Sequence, residues 1–198
     1  MKKFALALLI SAPLAASAAD LVINGSFEAD AQGAGTWGTY TTLTGWTGAP
    51  NIELRNNVAG TAFDGVNFVE LDTGGNSTMS QTLTGAAGVY TLSFWYSARP
   101  DVPAGSNGLE FSLDGNPLGN VLVGVAGGSV NNWQQYTALV NFDGNAVLTF
   151  GAIEASDSLG GSLDKVSFTA AVPEPETYAL MLGGLGAVGF MARRRKTN

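Results

Sequence analysis

The reactive side chains of this chain are carboxylates. Sixteen Asp and Glu stand against nine Lys and Arg, and neither Cys nor His occurs in its 198 residues. A thiolate nucleophile, a disulfide framework, a Cys/His zinc site and a Ser-His-Asp triad are therefore excluded. Two kinds of carboxylate chemistry stay open. One is glycoside hydrolysis, which needs a pair of carboxylates at a set separation. The other is ligation of a hard cation such as calcium, which takes roughly 6–8 oxygens. Glu53, Glu70, Asp72 and Glu110 fall on expected strands or their ends, and no spacing singles out a pair. The second chemical resource is aromatic. Trp37, Tyr40 and Trp46 lie in a Gly- and Thr-rich stretch, taken as loop, and Trp95 lies near Arg99. An aromatic face beside guanidinium, amide or carboxylate groups suits a sugar, with Trp37, Tyr40, Trp95 and Arg99 as candidates. The competing reading is that these rings, and Trp133, fill a core.

Charge is distributed unevenly. Six basic residues sit at the two ends: Lys2, Lys3, Arg193, Arg194, Arg195 and Lys196. The stretch 20–171 keeps only Arg55, Arg99 and Lys165 against fourteen carboxylates. Nucleic acid, whose binding depends on neutralising phosphate, is not a partner for such a surface. Cations and neutral polymers are.

The elements that must position these residues are strands. Val89–Tyr96 alternates with period two and places Tyr90, Leu92, Phe94 and Tyr96 on one face, with Trp95 on the other. Tyr136–Phe142 and Leu109–Leu113 alternate likewise. Further strands are expected at 67–71, 79–83, 120–125, 147–150 and 164–168. Asp64-Gly65, Asp114-Gly115 and Asp143-Gly144 supply turn residues that tolerate positive φ. No mid-chain segment sustains a helical period. The fold class is all-β, an antiparallel sandwich of jelly-roll type.

Both ends read as addresses. Met1-Lys2-Lys3, an apolar run from Phe4 to Ala16 and Ala16-Ser17-Ala18 form a signal peptide over 1–19, expected as an N-terminal signal helix. At the other end, Pro173-Glu174-Pro175 precedes an uncharged stretch expected as a transmembrane helix over 177–192, then a basic tail over 193–196. Cations after an apolar run predict a cytoplasmic end and an inner-membrane anchor. The segment 172–198 resembles the PEP-CTERM sorting signal, carried by Pro173, Glu174, Pro175, Arg193, Arg194 and Arg195. The resemblance implies an exosortase partner, transient anchoring, and release to the cell surface or into extracellular polysaccharide.

Between the ends, Leu21-Val22-Ile23-Asn24-Gly25-Ser26-Phe27-Glu28, Gly45-Trp46, Asn67–Leu71, Gln81-Thr82-Leu83, Trp133–Tyr136 and Leu163–Phe168 follow in order. This order resembles the galactose-binding-domain-like jelly rolls, including carbohydrate-binding modules and the DUF642 type, over 20–171. The resemblance implies a core position for Trp46. It also implies a structural calcium ion joining the N-terminal segment to the last strand, with Glu28 and Asp164 as side-chain donors and backbone carbonyls near Ser26. Period two puts Asp164 inward with Val166 and Phe168. The functional expectation is a non-catalytic, exported module that binds carbohydrate or exopolysaccharide. The alternatives are a structural or adhesive matrix protein and a carboxylate-based glycoside hydrolase.

Overall fold

The computed structural model describes residues 19–171 and 181–186. Ten strands form: β1 (Thr36–Leu43), β2 (Trp46–Asn56), β3 (Asn67–Glu70), β4 (Thr78–Thr84), β5 (Gly88–Ser97), β6 (Leu109–Leu113), β7 (Asn116–Val121), β8 (Gln134–Phe142), β9 (Asn145–Ala152) and β10 (Ser162–Ala170). They hydrogen-bond in the order β7-β6-β9-β4-β2-β3-β10-β5-β8, with β1 on β2 off this path. Every pairing is antiparallel. The all-β jelly-roll class expected from the alternation is the class observed.

Strand β2 is the corner of the sheet. Its first residues pair with β4, as Thr47↔Ser80, and its last with β3, as Leu54↔Val69. The sheet thereby folds over on itself and encloses one core. Phe94 of β5 meets Phe150 of β9 at 5.1 Å and Phe111 of β6 at 5.0 Å across that core. Trp46 is buried between Phe27 and Phe150. Tyr90, Leu92, Phe94 and Tyr96 all point inward, as their period requires.

Turn chemistry explains the hairpin between β6 and β7. Asp114 (φ 49°) and Gly115 (φ 72°) form its two-residue loop, and both occupy the left-handed region that Asp and Gly tolerate best. The strand expected at 120–125 lies earlier, over 116–121. Pro117 does not exclude it, because β7 is an edge strand with one side free of ladder bonds. The Gly/Thr-rich stretch read as loop forms β1 and β2 instead. Its many threonines are β-branched and suit a pleated surface.

The N-terminal segment closes the sandwich. Asp20 bridges to Thr169, and its Oδ1 accepts bonds from Val22 N and Phe168 N. Gln81 holds Ile23 from both sides, accepting from its N–H at 2.7 Å and donating to its carbonyl at 2.9 Å.

The expected signal helix lies outside the described residues save Ala19, as do Pro173, Glu174, Pro175 and Arg193–Arg195. Of the expected membrane helix over 177–192, only 181–186 are described, and these are helical and exposed. Among the described residues, no helix is long and apolar enough to cross a membrane.

Candidate functional site

The end of β2 breaks the rule of one wet face. Ile52 to Asn56 are all buried. Ile52 and Leu54 enter the core, so Glu53 and Arg55 are buried on the opposite, outer face. Cross-strand register collects the rest of the site on that face. Glu70 of β3 lies opposite Glu53. Trp37 of β1 lies opposite Arg55, and Thr39 opposite Glu53. Thr73 and Gly74 follow β3, Arg99 follows β5, and Ser158 precedes β10. These residues, Glu70 excepted, line an open cavity of about 450 Å³, within the roughly 300–1,000 Å³ common for ligand sites.

Two glutamates directly opposite each other on a sheet repel. Arg55 resolves this by standing between them. Its Nε donates to Glu53 Oε1 at 2.5 Å and its Nη2 donates to Glu70 Oε2. Gly160 N donates to Glu70 Oε1 at 2.5 Å. Arg99 Nη1 lies 3.4 Å from Glu70 Oε2 and donates to the Ser158 carbonyl at 2.9 Å. Glu70 is 0% exposed, and burial pushes its carboxyl up to about 8 against the opposing pull of Arg55. The network is incomplete. Arg55 Nη1, Thr73 Oγ1 and the neighbouring Asp72 Oδ1 are buried without a partner among the described residues. Trp37, which lines the cavity with Arg55 and Thr73, is 57% exposed. An exposed ring beside unpaired polar groups offers a stacking face and hydrogen-bonding groups in one cavity.

The fold brings Trp37 and Arg99 together and leaves the other two sugar candidates elsewhere. Tyr40 lies on the opposite face of β1 from Trp37, and its hydroxyl donates to Gln32 Oε1. Trp95 is half-buried on the outer face, under Phe63 at 3.8 Å between ring centroids. Trp133 packs edge-on against Phe68 and donates to the Thr61 carbonyl. Arg55 and Thr73 carry no sequence signal. Ile-Glu-Leu-Arg reads as a strand with a solvated charged face, and only tertiary contacts bury that face. Glu53 and Glu70 do form a pair, but Glu70 is sealed from any substrate bond.

Glu28 and Asp164 converge on one loop. Glu28 Oε1 accepts from Val66 N and Asn67 N, and Asp164 Oδ2 accepts from Phe63 N and Asp64 N. Between them Ser26 Oγ donates to Asp64 Oδ2. A Cβ at Gly65 would overlap the Glu28 carboxyl. Asp164 does not face inward with Val166 and Phe168 as period two implies. The β10–β5 register shifts between Asp164 and Ser167, with Lys165 at φ 49°, and this bulge turns Asp164 to the outer face opposite Trp95. It is nevertheless 0% exposed, beneath the 63–67 loop. Burial pushes its carboxyl up to about 7, opposed by the bonds from Asp64, Lys165 and Phe63. Among the described residues, no three carboxylates converge closely enough to hold a metal ion by side chains alone. Any cation here must draw on backbone carbonyls as well.

Comparison with known proteins agrees with this architecture. Residues 171–196 match the PEP-CTERM protein-sorting motif. No curated protein matches the chain. The adhesin domain of Lys-gingipain superposes at a TM-score of 0.53 and 16% identity, covering 74% of this chain and 97% of that one. A family 35 carbohydrate binding module from Clostridium thermocellum aligns at 0.41 and 19%, covering 69% and 99%. The module TmCBM61, solved with beta-1,4-galactotriose, aligns at 0.48 and 20%, covering 77% and 99%. At these identities the likeness is one of fold. The chain thus pairs a jelly-roll body with a PEP-CTERM sorting motif.

The two raised carboxyls set a pH dependence. The folded state keeps protons that the unfolded chain releases near 4.5 for Glu70 and 3.8 for Asp164. Their contribution to stability therefore falls as pH rises through that range and on to about 7 to 8. In the presence of a chelator, Tm is expected to drop between pH 5 and pH 8. Glu70→Gln and Asp164→Asn should each flatten the slope; an unchanged slope in both variants would refute this account of the burial.

Proposed function

We propose that this protein is exported, sorted by an exosortase through its C-terminal motif, and binds extracellular carbohydrate in the Trp37–Arg55–Arg99 pocket without acting on it chemically. On this reading 1–19 is a removed signal peptide, 20–171 the binding body and 172–198 the sorting segment. The observation that carries the binding reading is Trp37, 57% exposed in the cavity that Arg55 and Thr73 also line, where Arg55 Nη1 and Thr73 Oγ1 lack partners among the described residues. Leaving such groups unmade costs about 1–3 kcal/mol each, which a hydroxylated ligand recovers. A non-catalytic role is supported by the sealing of Glu70 and the capture of Glu53 and Glu70 by one guanidinium. Geometry suits a tethered protein as well. β10 runs from Ser162 to Ala170, about 27 Å at the strand rise, and the pocket residue Ser158 precedes its first end whereas the sorting segment follows its last. Trp37→Ala is expected to weaken polysaccharide binding about tenfold or more in affinity electrophoresis, and Tyr40→Ala to leave it unchanged. Equal affinity in wild type and Trp37→Ala would remove this pocket from the reading.

The sorting half of the proposal has its own test. Mass spectrometry of the protein from its native host should show a chain beginning at Ala19 or Asp20 and lacking the residues after the Pro-Glu-Pro motif. Loss of the exosortase should restore the tail. A tail retained in both strains would contradict the proposal.

Calcium is proposed as a cross-link at the 63–67 loop. Glu28 and Asp164 supply side-chain oxygens and backbone carbonyls complete the roughly 6–8 that the ion takes. The support is Asp164, fully buried and bonded only to neutral backbone amides. Calcium is expected to raise the Tm of the wild type and not of Glu28→Gln. A wild-type Tm indifferent to calcium would exclude the ion.

A further inference from the structure

We infer that the pocket selects a neutral glycan over a uronate-bearing one, with Arg55 Nη1 and Thr73 Oγ1 reading its hydroxyl groups. This inference rests on the carbohydrate-binding reading and goes to the ligand's chemical class. The first ground is the charge inside the site. Arg55 already spends Nε on Glu53 and Nη2 on Glu70. Arg99 faces Glu70, and Asp72 is buried next to Thr73. Arg55 thus faces two acidic side chains and Arg99 one, so among the described residues each guanidinium of the cavity already has an acidic partner. An acidic sugar would meet the Glu53 carboxylate, which lines the same cavity.

The second ground is the pair of unpartnered atoms. Arg55 is 3% exposed, lines the cavity, and has Nη1 unbonded among the described residues. Nη1 is a donor only, so it requires a ligand oxygen. Thr73 Oγ1, also unbonded, can donate or accept. A sugar hydroxyl satisfies either atom, whereas a purely apolar ligand would strand both. Trp37 then covers the apolar face of the ring. The third ground is long-range. A body with three basic residues and fourteen carboxylates repels a polyanion before contact.

The test uses the full chain in mild detergent. Affinity electrophoresis compares neutral polysaccharides, a β-glucan and a galactan, with alginate and polygalacturonate. At least one neutral polymer is expected to bind. Its affinity should stay within about twofold between about 0.05 and 0.5 M salt, because no ion pair is formed. Thr73→Val should weaken that binding about tenfold at unchanged Tm. Preferred binding of a uronate polymer, weakening with salt, would overturn the inference and leave carbohydrate binding standing. Full affinity in Thr73→Val would overturn the reading atoms alone. Absence of binding to every polymer by the folded protein would overturn both the inference and the reading beneath it.

Discussion

Arg55 is the group on which the outer face depends. Antiparallel pairing of β2 and β3 sets Glu53 opposite Glu70, an arrangement that costs energy unless a cation lies between them. The Arg55 guanidinium occupies that place and bonds both. Its insertion lets charged residues be buried on the face of the sheet that the core does not use. The loops after β3, after β5 and before β10 can then close over that face, and a cavity forms where they do not quite meet. Removing one member of such a buried set leaves an uncompensated charge, which commonly costs about 3–5 kcal/mol. The pocket and the stability of the β2–β3 pair therefore share one cause.

A wider constraint follows from the scarcity of cations. Fourteen carboxylates in the body meet only three basic side chains. The fold answers with backbone amides. Asp20 takes Val22 N and Phe168 N. Glu28 takes Val66 N and Asn67 N, and Asp164 takes Phe63 N and Asp64 N. Asp72 takes Asp157 N and Leu159 N, while Glu154 takes Gly108 N and Gly124 N. In each case one acidic side chain satisfies at least two backbone amides, most of them in connections between strands. The acidic composition thus serves the connections of the jelly roll, which need acceptors for their N–H groups. It also leaves an anionic surface compatible with neutral polymers.

Legibility varied with the range of the interaction. Strand β5 was plain because each residue's face follows from its neighbours at period two. The β6–β7 hairpin was plain because Asp114-Gly115 states its own turn. Strand β10 was misleading: the alternation 164, 166, 168 is broken by the bulge at Lys165, which nothing in Asp-Lys-Val-Ser-Phe announces. Strands β1 and β2 were hidden by glycine and threonine that serve loops and edge strands equally. Trp37 and Arg99 could be picked out one by one as sugar candidates, but not as partners, and Tyr40 and Trp95 had equal claim.

Amino-acid type and local period alone determined the excluded chemistries, the all-β class, the acidic body and the sorting motif near the C-terminus. None of these needs a contact between distant residues. The tertiary structure alone decided which face of β2 is covered, which aromatic ring stands over a cavity, and which carboxylates share a loop. Those outcomes depend on strand register and loop closure between positions as far apart as Glu70 and Gly160. Such pairings arise from the whole sheet folding over its core, and no short stretch of chain encodes them.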